Sequence, residues 1–213
     1  MANAPSGADG RMHPCRLLAC LQERIGDDAI VVADGGDFLS FARVGLSART
    51  YLDPGPLGCL GVGTPFGIAA ALACPQRTVV VATGDGAFGF NAMEIDTAVR
   101  HKAPIVVVVA NTGAWQIEVH DQATTYGKVV GTRLQHADHA AMARAFGMHA
   151  ERVERAEDLP GAIVRALANR PALLDVLVSA DAVSSDAKTG LAWVPDLQPL
   201  AAWDDAERKW RDP

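Results

Sequence analysis

The chain has 213 residues, 49% of them hydrophobic and 21% charged, which suits one globular domain with a substantial core plus a tail and excludes wholesale disorder, collagen-like repeats and coiled coils. Nineteen Lys and Arg against 25 Asp and Glu leave a formal net charge of -6, so the basic surplus that neutralises nucleic-acid phosphates is missing. No apolar run reaches the roughly 18 residues of a membrane span, and the first residues lack the basic, apolar and small-residue pattern of a signal peptide.

Residues 1–12 are small, polar and rich in Gly, Pro and Asn, and read as a linker or cloning scar with folding expected from His13. From there helical patterns alternate with short apolar runs. Helices are expected at 14–25, 64–73, 87–101, 138–146 and 156–169, the fourth stopped by Gly147 and the last opened by Glu157, Asp158 and Pro160. Strands are expected at 29–33, 78–82, 105–110, 149–153 and 173–178. Each strand is apolar almost throughout, as suits burial on both faces, and the segments between them are long enough for crossover helices. The expected fold is a doubly wound α/β domain over 13–179, with a mostly parallel sheet of about six strands and helices on both faces. A tail at 180–213 carries Trp193, Trp203 and Trp210, which are costly to leave exposed and are expected to pack on something. Cys15, Cys20, Cys59 and Cys74 form no C-x-x-C pair and read as small buried hydrophobes in a reducing cytoplasm.

Ligands of open α/β sheets bind beyond the carboxyl ends of the strands. Three loops there carry polar or glycine-rich sequence: Asp34-Gly35-Gly36-Asp37, Gly84-Asp85-Gly86 and Asn111-Thr112-Gly113. A fourth stretch, Gly55-Pro56-Leu57-Gly58-Cys59-Leu60-Gly61-Val62-Gly63, lets backbone groups approach a ligand closely. Gly84-Asp85-Gly86 joins a buried strand to a helix whose N-terminus favours an anion such as phosphate. Asp85 is itself an anion, so a phosphate beside it requires a divalent cation between the two. Taken alone, the triplet reads more readily as a turn with an Asp N-cap.

The neighbouring residues add to this. Ala87-Phe88-Gly89-Phe90-Asn91-Ala92-Met93-Glu94-Ile95 continues into a helix, then a four-valine strand, then Asn111-Thr112-Gly113. The arrangement resembles the C-terminal, diphosphate-binding domain of thiamine diphosphate enzymes of the acetolactate synthase, pyruvate oxidase and 2-hydroxyacyl-CoA lyase group. The resemblance covers roughly residues 13–179.

It implies thiamine diphosphate and Mg²⁺ as cofactors. The metal ligands it implies are the Asp85 carboxylate, the Thr112 hydroxyl and the Ala114 carbonyl; if the turn shifts by one residue, Asn111 and Gly113 replace the last two. Relatives usually place an Asn at the Thr112 position, so metal affinity is the property that this departure touches. Gly58 is implied as the carbonyl that accepts from the cofactor's amino group, and Leu60 as the apolar wedge between its rings. Backbone groups of Asp37, Phe38, Gly84, Gly86 and Ala87 are implied around the diphosphate, with Trp115 beside it.

The resemblance also implies a separate pyrimidine-binding domain or subunit supplying an activating Glu, assembly into homo- or hetero-oligomers, and a small 2-oxo acid or 2-hydroxyacyl-CoA substrate. The activity implied is C–C lyase, carboligase or decarboxylase chemistry in the cytoplasm, with the tail as a lid. A cofactor-binding or assembly module without catalysis is the alternative. His136 and His139 read as surface polar residues, and His120-Asp121 as a possible border of the substrate pocket. Gly61-Val62-Gly63-Thr64-Pro65-Phe66-Gly67 has the wrong spacing for a dinucleotide fingerprint.

Overall fold

A computed structural model describes residues 1–189. Six strands form one sheet in which every pairing is parallel: β1 (Ile30–Asp34), β2 (Thr50–Leu52), β3 (Val79–Gly84), β4 (Ile105–Asn111), β5 (His149–Val153) and β6 (Ala172–Leu177), in the order β2-β1-β3-β4-β6-β5. Alternate side chains of each central strand feed different cores. Val31, Val80, Val106 and Leu174 point to one face, where α1 (Pro14–Ile25), α2 (Asp37–Gly45) and α8 (Leu159–Ala168) pack; Val32, Val81, Val107 and Leu173 point to the other, covered by α3 (Gly63–Ala73), α5 (Glu94–Arg100) and α7 (His139–Ala145). Burial on both faces explains why β1, β3, β4 and β6 read as continuous apolar runs. The exception is β5, an edge strand whose His149, Glu151 and Arg152 are only half-buried.

Four elements depart from the expected layout. The segment after β1 is the helix α2 rather than a loop, and buries Phe38, Leu39, Phe41 and Ala42. The expected helix at 87–101 is two helices, α4 (Asp85–Phe90) and α5, broken where Asn91 caps the first and turns its amide toward another loop. The segment after β4 forms α6 (Gln116–Tyr126), whose largely polar face gives little periodicity to read. The sixth strand, β2, spans three residues and lies at the sheet edge.

The chain is engaged before His13: Met12 is buried, bridges Val178 and accepts from the Ser179 N–H. Of the cysteines expected to be buried, Cys15, Cys20 and Cys74 are half-buried and Cys59 is exposed, because its glycine-rich loop stands away from both cores. A short helix α9 (Ser185–Thr189) ends the described residues, so Trp193, Trp203 and Trp210 lie outside them. Among the described residues, no helix is long and apolar enough to cross a membrane.

Close contact between α3 and β3 rests on Gly67: a Cβ there would stand 2.3 Å from Val81 Cγ2, a stiff, fully buried side chain. Helix propensity alone favours Ala over Gly by about 1 kcal/mol. At Gly89, exposed and with open space around its missing Cβ, Gly89→Ala is expected to be neutral or slightly stabilising. Gly67→Ala is expected to destabilise the fold by about 1–3 kcal/mol through overpacking, measured by urea denaturation.

Candidate functional site

Chain direction across the sheet reverses between β1, which leads to the β2 edge, and β3, which leads toward β4. The carboxyl ends of these strands border a cleft lined by Gly35, Asp37, Leu60, Asp85, Thr112 and Trp115, among others. Crevices at such reversals are the usual ligand sites of parallel sheets.

Asp85 opens α4 directly after the last residue of β3 and is 5% exposed. Its Oδ1 accepts from the Thr112 N–H at 3.3 Å and faces Thr112 Oγ1 at 3.2 Å, while its Oδ2 accepts from the Ala114 N–H at 3.2 Å. Burial pushes the Asp85 carboxyl up from the ordinary carboxylate range, and the Thr112 N–H opposes that rise by favouring the charged form. The turn that brings Thr112 and Ala114 here is held by Gly113 in a left-handed conformation, by the Trp115 N–H donating to Thr132 O, and by the Ala114–Arg133 bridge. The Trp115 ring lies over Gly86, where a Cβ would come within 2.8 Å of it.

Three oxygens gather in this corner. Thr112 Oγ1 stands 3.2 Å from Asp85 Oδ1 and 3.3 Å from the Ala114 carbonyl oxygen. In an octahedron with metal–oxygen distances near 2.1 Å, neighbouring ligands are about 3.0 Å apart. The spacing and the all-oxygen chemistry therefore fit a hard dication such as Mg²⁺. One carboxylate suffices when phosphate oxygens complete the shell, which agrees with the lack of any cluster of three His, Cys, Asp or Glu among the described residues.

The alternative ligand, Asn111, faces elsewhere. It is fully buried, its Nδ2 donates to Asp175 Oδ1 at 2.9 Å and to Ala137 O at 3.0 Å, and its Oδ1 lies 3.1 Å from His136 Nδ1. His136 also meets Arg11, so it belongs to a polar network beside the Thr112–Ala114 turn rather than to an unengaged surface. His139 packs edge-on against Phe88 and its N–H donates to Asp175 Oδ2. His120 sits between the Gln116 amide and the Ala182 carbonyl, joining α6 to the segment after β6 without lining the cleft.

Of the other expected residues, Phe38, Leu60, Gly84, Gly86, Ala87 and Trp115 line the cleft, whereas Gly58 is exposed beside it. Asp37 begins α2, and its carboxylate accepts from the Ser184 N–H at 3.2 Å. Sequence reasoning assigned no role to Asp34, Asn91 or Asp175. Their signals were weak, since an Asp at a strand end and an Asn between helices are common.

The contrast between Asn111 and Thr112 predicts opposite phenotypes. Asn111→Ala leaves the buried Asp175 carboxylate without one donor and is expected to lower unfolding stability by about 1–3 kcal/mol in urea. Thr112→Val, which keeps the shape of a half-exposed side chain, is expected to cost less than about 1 kcal/mol in the same assay.

The profile of the thiamine pyrophosphate enzyme C-terminal TPP binding domain matches residues 34–176. The chain is 43% identical over 171 residues to a probable acetolactate synthase of Mycobacterium bovis and to the acetolactate synthase large subunit IlvG of Mycobacterium tuberculosis, covering 78% of this chain and 31% of each relative. It is 35% identical over 149 residues to 2-hydroxyacyl-CoA lyase 2 of Caenorhabditis elegans, covering 68% of this chain and 23% of that protein. It thus spans less than a third of these relatives. A match over two-thirds of the chain, starting at the last residue of β1 and ending inside β6, takes in Asp85, Thr112 and most of the residues that line the strand-end cleft, and the chain belongs to the thiamine pyrophosphate enzymes as a C-terminal TPP binding domain.

Proposed function

We propose that this chain is the diphosphate- and Mg²⁺-binding half of a thiamine diphosphate-dependent C–C lyase, carboligase or decarboxylase, with residues 13–179 as the cofactor domain and 180–213 as a lid. The observation that carries this reading is the oxygen cluster of Asp85, Thr112 and Ala114 at the β3 and β4 ends. When bound, the thiamine group supplies an electron sink that lets a C–C bond beside a carbonyl form or break.

Asp85, the Thr112 hydroxyl and the Ala114 carbonyl would hold the dication, whose charge would offset the repulsion between the Asp85 carboxylate and a diphosphate. Backbone groups of Asp37 and Phe38, in the first turn of α2, and of Gly84, Gly86 and Ala87 face the diphosphate, favoured by the positive end of the α2 dipole. Leu60, on the cleft wall, would support the cofactor, and Gly58, which is exposed, would offer its carbonyl to the aminopyrimidine. Trp115 closes the side of the cleft over Gly86.

Among the expected site residues of this chain there is no activating Glu. A pyrimidine-binding domain or subunit provides it, within a homo- or hetero-oligomer. The names of the relatives support a 2-oxo acid or a 2-hydroxyacyl-CoA as substrate. Four free thiols suit the reducing cytoplasm.

Mg²⁺ with thiamine diphosphate at 100 times its dissociation constant is expected to raise the unfolding free energy by about 2.7 kcal/mol, read as a shift in Tm. Asp85→Asn is expected to abolish the shift. Thr112→Val is expected to weaken the cofactor about tenfold by calorimetry, and Thr112→Asn to keep or tighten it. No shift in the unsubstituted protein at saturating cofactor would refute the reading; cofactor binding without turnover in the presence of the pyrimidine-binding partner would favour the assembly module.

A further inference from the structure

Asp34 is a buried acid that the proposed cofactor chemistry leaves unused. It ends β1, is 1% exposed, and its carboxylate accepts three backbone N–H groups: Gly35 at 2.8 Å, Gly61 at 3.0 Å and Gly63 at 2.8 Å. Two of these donors lie 27 and 29 residues away, Gly61 in the glycine-rich loop and Gly63 at the first position of α3. The far side of the same loop is tied as well, because Asn91 Nδ2, at the break between α4 and α5, donates to Gly61 O at 2.8 Å. Both the N–H and the carbonyl of Gly61 are therefore held, one from the end of β1 and one from the end of α4.

The backbone admits little else at these points. Gly61 has a φ of 92°, and a Cβ there would stand 2.6 Å from Phe90 Cβ; a Cβ on Gly63 would stand 3.0 Å from Asp34 Cβ. Leu60, next to Gly61, lines the cleft together with Asp85 and Thr112. Between the 3₁₀ turn at Gly55–Leu57 and α3 the loop has no helix or strand ladder of its own, so these side-chain hydrogen bonds stand in for regular structure. A carboxylate suits the task because both oxygens only accept. An amide would turn its own NH₂ toward a backbone donor.

We propose that Asp34, aided by Asn91, is a positioning residue that pre-forms the 58–63 loop, so that Leu60 stands ready for the aminopyrimidine end of thiamine diphosphate before the cofactor arrives. The proposal rests on the cofactor reading above. Its physical content is preorganisation: a loop ordered in advance loses less freedom on binding. Through Asn91, whose side chain reaches the 58–63 loop, the effect is confined to the aminopyrimidine end, whereas Asp34 also accepts from Gly35 just before α2; the diphosphate end is otherwise held by Asp85, Thr112 and α2.

That confinement supplies the test. The chain is titrated calorimetrically with Mg²⁺ plus thiamine diphosphate and, separately, with Mg²⁺ plus inorganic pyrophosphate, which shares the diphosphate but has nothing to place against Leu60. Asp34→Asn is expected to weaken thiamine diphosphate about tenfold or more and pyrophosphate less than about twofold. Asn91→Ala, at an exposed position and without risk to the core, is expected to show the same selectivity at about threefold. Without any ligand, hydrogen exchange at the Gly61 and Gly63 amides is expected to speed up about tenfold or more in Asp34→Asn. Equal weakening of both ligands, or no weakening, in the variants overturns the proposal, and if Asp34→Asn does not fold then Asn91→Ala alone decides. If the unsubstituted chain binds pyrophosphate but not thiamine diphosphate, the positioning role fails while the metal–diphosphate site stands; if it binds neither, both fall.

Discussion

A negative charge buried at the end of a central strand constrains everything around it. Asp85 sits where β3 gives way to α4, shielded from water, and its carboxylate is met from the neighbouring strand by the Thr112 and Ala114 N–H groups and the Thr112 hydroxyl. Those contacts set the path of the turn after β4, and with it the position of Trp115 over Gly86. Isolated, such a charge is costly. Placed at a helix N-terminus and beside two further oxygens, it suits the dication proposed above, whose charge would offset the cost of burying the carboxylate.

Asp85, Asp34 and Asp175 are buried acids with related tasks at the strands. Asp34 ends β1 and gathers the glycine-rich loop; Asp175, within β6, accepts from the Asn111 side chain and the His139 N–H and pairs with Arg152 at 3.2 Å. Burial pushes each of the three carboxyls up, and in each case donors to the charged form pull it back. The division of labour follows from their partners. Asp175 is saturated by a cation, an amide and a backbone group, and so belongs to the frame; Asp34 is met by N–H groups of Gly35 and of a single loop; Asp85 alone keeps neighbouring oxygens on the cleft side. Asn111 is drawn into the frame by Asp175, which leaves Thr112 to face Asp85.

Sequence and structure agree closely at α1 and at five of the six strands. The bounds of α1 and β5 coincide with the expected 14–25 and 149–153, and the central strands differ only at their ends. The elements that escaped reading share a physical trait, which is that their stability comes from neighbours. The three residues of β2 cannot hold alone and need β1, α2 hides behind a glycine-rich turn, and the polar surface of α6 weakens its periodicity. The break between α4 and α5 depends on Asn91 reaching a loop 30 residues earlier, a contact with no local signature.

Composition and order of residues were enough to establish a two-faced parallel sheet, the loops at its carboxyl edge, and the family to which Gly84-Asp85-Gly86 with Asn111 points, because buried strands and strand-to-helix turns are encoded by short, contiguous patterns. Which member of Asn111-Thr112 turns to Asp85, the capture of Gly61 and Gly63 by Asp34, and the enlistment of His136 beside the turn after β4 were decided only in three dimensions. Each of these is a choice among hydrogen-bond partners far apart in the chain, and a buried polar group takes whichever partner folding brings within about 3 Å.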